Sequence, residues 1–120
     1  MAEHPKDLIR RTFEFAVRIR RFANRLPKSI ANYEDAKQLV RSSGSVAANY
    51  LEAQEGLSRK DFFYRIKVCR KEVRESGLWL RLLETGPEPT LSKERDELVT
   101  EGGELRRIFS TIAGKDDTAD

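Results

Sequence analysis

With one cysteine and one histidine in 120 residues, the chain lacks the side chains from which most metal sites and nucleophilic centres are built. Cys69 has no second cysteine to pair with, so an internal disulfide is excluded and a reducing cytoplasm is the simplest setting. His4, in the opening arm, stands outside any Glu-x-x-His repeat of the kind that holds paired metals in helical bundles. No apolar run approaches the roughly 20 residues that a membrane-spanning helix needs. The opening Met-Ala-Glu-His-Pro-Lys-Asp likewise has no apolar core of a signal peptide. Gly102-Gly103 lacks the lysine and the spacing of a phosphate-binding loop. These absences leave no catalytic residue, metal ligand or cofactor to expect, and no membrane partner.

What is present is charge and helical periodicity. Charged residues make up 36% of the chain and hydrophobic ones 38%, a balance suited to one helix-rich domain. Ile9, Thr12, Ala16, Ile19, Ala23 and Leu26 recur at steps of three and four, with Leu8, Phe15 and Phe22 widening the stripe. A first helix is therefore predicted from Asp7, as its cap, to Leu26, where Pro27 stops it. Asn32, with Asp35 three residues on, predicts the cap of a second helix over Tyr33 to Glu55, closed by Gly56. Its packed side is read as Ala36, Leu39, Val40, Ser43, Val46, Ala47, Tyr50 and Ala53.

Ser58 opens a third helix whose seam is Phe62, Ile66, Cys69, Val73, Ser76, Leu80 and Leu83, with Phe63 and Trp79 alongside. The loop Gly86-Pro87-Glu88-Pro89-Thr90 precedes a fourth helix from Leu91 or Ser92, with a kink or break expected at Gly102-Gly103. Short loops between long amphipathic helices predict an all-α, antiparallel up-down-up-down bundle over residues 1–114. Residues 115–120 are read as a flexible acidic tail.

One stretch is more specific than periodicity. Gln38-x-x-Arg41-Ser42-x-x-Ser45-Val46-x-x-Asn49-x-x-Glu52 is followed by Ser58-x-x-Asp61-Phe62, then by Glu72-x-x-Glu75 and Trp79-Leu80-x-Leu82-Leu83. With these residues the chain resembles the four-helix bundle family of the 23S rRNA intervening-sequence proteins, and more loosely so in its first and fourth helices. The resemblance implies a left-handed antiparallel bundle that assembles into a ring, commonly a homopentamer, with no established biochemical activity. A related group is the accessory variability determinant of diversity-generating retroelements. That relation implies RNA or DNA, or a protein such as a reverse transcriptase, as a partner class.

Two constellations carry the functional reading. Gln38, Arg41, Ser42, Ser45, Asn49 and Glu52 share one face of the second helix, where a solvated face would carry long charged side chains. Small hydroxyls and amides there suit an internal or intersubunit polar seam that fixes register, or else a ligand or RNA contact surface. Glu72 and Glu75 on the third helix are placed to meet Arg41 in such a seam.

The second constellation is basic. The first helix sets six arginines against Asp7 and Glu14, while the segment from Gly86 onward holds five basic and nine acidic residues. The third helix sets eight basic residues against four acidic ones, so the small overall charge of +3 hides a segregation. Arg11, Arg18, Arg21 and Arg25, with Lys67, Lys71 and Arg74, are the candidate phosphate contacts. The competing expectation is that these arginines pair with carboxylates of the fourth helix or of a neighbouring subunit. Cys69, on an apolar seam, is read as a small hydrophobe, and Trp79 as an anchor.

Overall fold

The computed structural model describes residues 4–118, and over them the chain is four helices with no strand: α1 (Pro5–Asn24), α2 (Ile30–Glu55), α3 (Arg59–Leu82) and α4 (Pro89–Ala113). Each helix packs on two neighbours in the cyclic order α1, α2, α3, α4, which makes a four-helix bundle. Contacts run antiparallel: Arg11 reaches Glu101 while Arg25 reaches Glu88, and Arg41 reaches Glu72 while Asn49 reaches Arg65.

Four boundaries differ from the sequence expectation, and local chemistry accounts for each. The first helix starts two residues early, at Pro5, and the amides of Asp7 and Leu8 both donate to His4 O. Asp7 therefore lies inside the first turn rather than capping it. That helix ends at Asn24, and Arg25 and Leu26 close a turn onto Phe22 O and Ala23 O. The second helix is capped by Ser29, not Asn32, because the Ser29 hydroxyl accepts the Asn32 amide at 3.0 Å. The fourth begins at Pro89, whose missing N–H costs nothing at a position where helical amides have no partner. Ser58 and Gly56 behave as expected: the Ser58 hydroxyl accepts the Asp61 amide, and Gly56 takes the left-handed conformation at φ 61°.

The expected break at Gly102-Gly103 is absent, and α4 runs through both glycines. Gly102 lies on the buried face, where a Cβ would stand 3.6 Å from the Phe15 ring. A methyl there would make ordinary van der Waals contact with Phe15 and Val73, so the packing leaves room for a small side chain.

The core is a continuous stack of Leu8, Phe15, Ile19 and Phe22 from α1, Leu39, Val46 and Tyr50 from α2, Ile66, Cys69, Val73 and Leu80 from α3, and Leu98, Leu105 and Phe109 from α4. The stripe on α1 is centred on Leu8, Phe15, Ile19 and Phe22; of the Ile9–Leu26 line, Thr12, Ala16 and Ile19 are buried while Ile9, Ala23 and Leu26 are partly buried at its edge. Cys69 belongs to this core; burial pushes its thiol up to about 12, and the thiol donates to Val46 O at 3.5 Å. It is unreactive for the same reason that it packs well. Among the described residues no helix is long and apolar enough to cross a membrane.

Candidate nucleic-acid interface

The arginines of α1 meet the carboxylates of α4 in a ladder. Arg11, Arg18 and Arg25 are seven residues apart and fall on one face of the helix. Arg11 donates to Glu101 at 2.8 and 2.9 Å and to Glu104 at 2.8 Å. One heptad on, Arg18 donates to Glu94 at 3.1 Å and lies 3.5 Å from Glu97. Arg25 donates to Glu88 at 3.1 Å and to the Thr90 hydroxyl at 3.2 Å. The hydrogen bond to Glu94 raises the Arg18 guanidinium above its already high ordinary range, so the rung stays charged. Three of the four arginines singled out in the predicted first helix, Arg11 and Arg18 on α1 and Arg25 in the turn after it, are therefore partnered inside the chain. Arg21 is exposed.

On α3 the cations are arranged differently. Lys67, Arg70, Lys71, Arg74 and Arg81 follow one another at helical steps along one face, and Arg106 joins them from α4. Together they line a groove of about 480 Å³ whose other walls are Glu75 and Leu78. Arg70, Lys71, Arg74 and Arg106 make no ion pair among the described residues. Arg81 donates to Gly77 O on its own helix, and Lys67 is held by Asp116 at 2.7 Å. The one carboxylate lining the groove, Glu75, lies 3.6 Å from Arg41 on the α2 side. A row of cations over about 21 Å of helix from Lys67 to Arg81, whose middle members Arg70, Lys71 and Arg74 have no ion-pair partner among the described residues, suits a chain of phosphates.

Sequence reasoning reached Lys67, Lys71 and Arg74 of this groove and missed Arg70, Arg81 and Arg106. The first two were legible as members of the same stripe. Arg106 was hidden inside the most acidic segment, and only the packing of α4 on α3 brings it across.

The polar row of α2 closes onto α3 within one chain. Arg41 donates to both oxygens of Glu72, at 3.2 and 3.4 Å, and to Gln38 at 3.5 Å. Ser45 donates to Glu72 at 3.3 Å, and Asn49 donates to Ser45 O and its hydroxyl at 2.9 and 3.0 Å. Arg65 donates to Asn49 Oδ1 at 3.0 Å, and the buried Ser42 and Ser76 hydroxyls share a bond of 2.7 Å. Glu72 is itself buried, so its charge is compensated by Arg41 and Ser45 rather than by water. Glu52 stays outside this network, exposed near the end of α2. Among the described residues no cluster of three or more histidine, cysteine or carboxylate side chains is placed to hold a metal ion.

A family model described as 23S rRNA-intervening sequence protein matches residues 6–108. No curated protein matches the sequence. Among solved structures the chain is similar to a protein with unknown function from the S23 ribosomal protein family of Bacteroides thetaiotaomicron VPI-5482. That similarity has a TM-score of 0.79 at 26% identity and covers 92% of this chain and 98% of the other.

Proposed function

The chain belongs to the 23S rRNA-intervening sequence protein family, and on that footing we propose that it is a non-enzymatic, self-associating cytoplasmic protein that binds nucleic acid by its phosphate backbone in the α3–α4 groove. The observation that carries this reading is the contrast between two sets of cations. Arg11, Arg18 and Arg25 are neutralised by carboxylates of α4 and its N-cap, whereas Arg70, Lys71, Arg74 and Arg106 are gathered in one groove with no ion-pair partner among the described residues. Holding like charges together is unfavourable, and an external polyanion relieves it. The groove carries no array of side-chain amides for reading base edges, so affinity without strong sequence preference is the expected behaviour.

The test is fluorescence anisotropy of labelled RNA and DNA titrated across salt. Lys71→Glu with Arg74→Glu should weaken binding at least tenfold and flatten the salt dependence by about 0.7 per lost contact on a single strand. Arg18→Gln, which loosens the α1–α4 ladder, should leave the salt slope unchanged. Undiminished affinity in the double charge reversal would overturn the reading, as would no binding by the parent protein at low salt.

A second reading, assembly with proteins alone, is favoured by one separate observation. An apolar groove of about 1020 Å³ lies where α1 turns into α2, lined by Leu26, Ile30, Tyr33 and Val40 among others. Ile30 in it is 88% exposed. If nucleic acid fails to bind, this surface becomes the working site.

A further inference from the structure

At the Lys67 end of the basic groove the chain meets the row of cations with a carboxylate of its own. After α4 the backbone turns back, with the amides of Lys115 and Asp116 donating to Ile112 O and Ala113 O. This brings Asp116 and Asp117 to Lys67 and Arg59 on the first half of α3; residues 119–120 lie outside the described residues. Asp116 accepts from Lys67 Nζ at 2.7 Å, and its side chain is only 6% exposed. The neighbouring Asp117 accepts two hydrogen bonds from Arg59, at 2.9 and 3.1 Å. Thr118 donates its amide at 2.8 Å, and also its hydroxyl, to the other Asp116 oxygen.

Lys67 is the first cation of the groove's row. The atom facing it is a carboxylate oxygen at the distance a phosphate oxygen would take. We propose that the segment after α4 is an intramolecular phosphate mimic: Asp116 occupies the Lys67 end of the groove, and nucleic acid displaces it to engage the whole row. The proposal rests on the groove being the nucleic-acid site. With Asp116 in place, binding uses Arg70, Lys71, Arg74, Arg81 and Arg106 while Lys67 is idle. With it displaced, one more cation contributes. The acidic segment would thus set a threshold that weak, short ligands fail to cross.

The experiment compares the parent with Asp116→Asn and Asp116→Ser, each alone and with Lys67→Ala, against labelled RNA and DNA across salt. Far-UV circular dichroism checks helicity, and two replacements at position 116 guard against a folding defect in either. Asp116→Asn should bind about three- to fivefold tighter at low salt, the scale of one released surface ion pair. Its salt dependence should be steeper by about 0.7 on a single strand. Lys67→Ala should be silent in the parent and should cancel the gain in Asp116→Asn. If the parent binds and the position-116 variants bind no tighter, the mimic is wrong and the groove reading stands. The mimic fails equally if Lys67→Ala weakens the parent as much as Arg74→Ala does. If neither the parent nor the variants bind at low salt, both readings fall together.

Discussion

Asn32 shows how one side chain can be misread from sequence and still be decisive. Asparagine three residues before a carboxylate is a good helix cap on paper, yet Ser29 takes that position and Asn32 turns inward from the first turn of α2. Its amide nitrogen donates to Pro27 O at 3.0 Å and to Glu84 O at 2.8 Å, and its oxygen accepts from Glu84 N at 3.0 Å. The turn after α1 is thereby fastened to the chain leaving α3. Ser29 and Asn32 are both cap formers one turn apart, and nothing local chooses between them. The partner that decides, Glu84, is 52 residues away, beyond the reach of any local pattern. Asn32→Ala leaves three part-buried backbone groups short of a partner and should cost about 2 kcal/mol in urea unfolding. Ser29→Ala should cost about 1 kcal/mol, the value of an ordinary cap. An Asn32→Ala penalty no larger than that of Ser29→Ala would mean water replaces the fastening.

At the scale of elements, four helices and their order were legible, because apolar spacing and the Gly-Pro punctuation agree from end to end. Their starts were less so, since a proline signals both a stop and a first helical position. Pro27 stops, whereas Pro5 and Pro89 begin. The glycine pair of α4 was legible as a weakness but not as a contact: whether Gly102 faces Phe15 depends on how α1 packs, which sequence alone does not state. Its neighbour Gly103 is exposed, and a Cβ there would meet nothing within 4 Å. Gly103→Ala should therefore raise stability by about 1 kcal/mol, from helix propensity and from a less free unfolded chain. Thermal unfolding reads this directly, and a lowered midpoint would mean that α4 needs flexibility at that turn. Gly102→Ala should gain at least as much, because its methyl would meet the Phe15 ring and Val73 at ordinary van der Waals distances of 3.6 to 3.8 Å.

For the molecule as a whole, the charge segregation seen in the sequence resolves into an internal part and an external part. The Arg11–Arg18–Arg25 ladder sets complementary charge at seven-residue spacing along α4 and its N-cap, while Arg70, Lys71 and Arg74 of α3 stand in the groove without an ion pair among the described residues. Counting charges could not separate these roles, since an arginine in a salt bridge and one in an open groove look alike in a sequence. Much of the exposed apolar surface, Phe13, Leu78 and Leu82 aside, is similarly divided. Ile30 and Tyr33 stand exposed where α1 turns into α2, and Leu51, Leu57 and Tyr64 stand exposed around the α2–α3 turn. The two patches lie at opposite ends of α2, a helix of 26 residues and so about 39 Å long. Two unlike patches that far apart cannot cover one another in the same chain. A contact joining one patch to the other in a second copy is head-to-tail, and repetition then closes a ring or extends a filament. Light scattering should accordingly give a mass of three or more chains for the parent. Ile30→Asp with Tyr33→Asp, and separately Leu57→Asp with Tyr64→Asp, should each reduce it toward a single chain. A parent that forms only a dimer, dissociated by the first pair of substitutions and untouched by the second, would mean that the α1–α2 surface pairs with itself across a two-fold axis. The α2–α3 patch would then be free for a different protein.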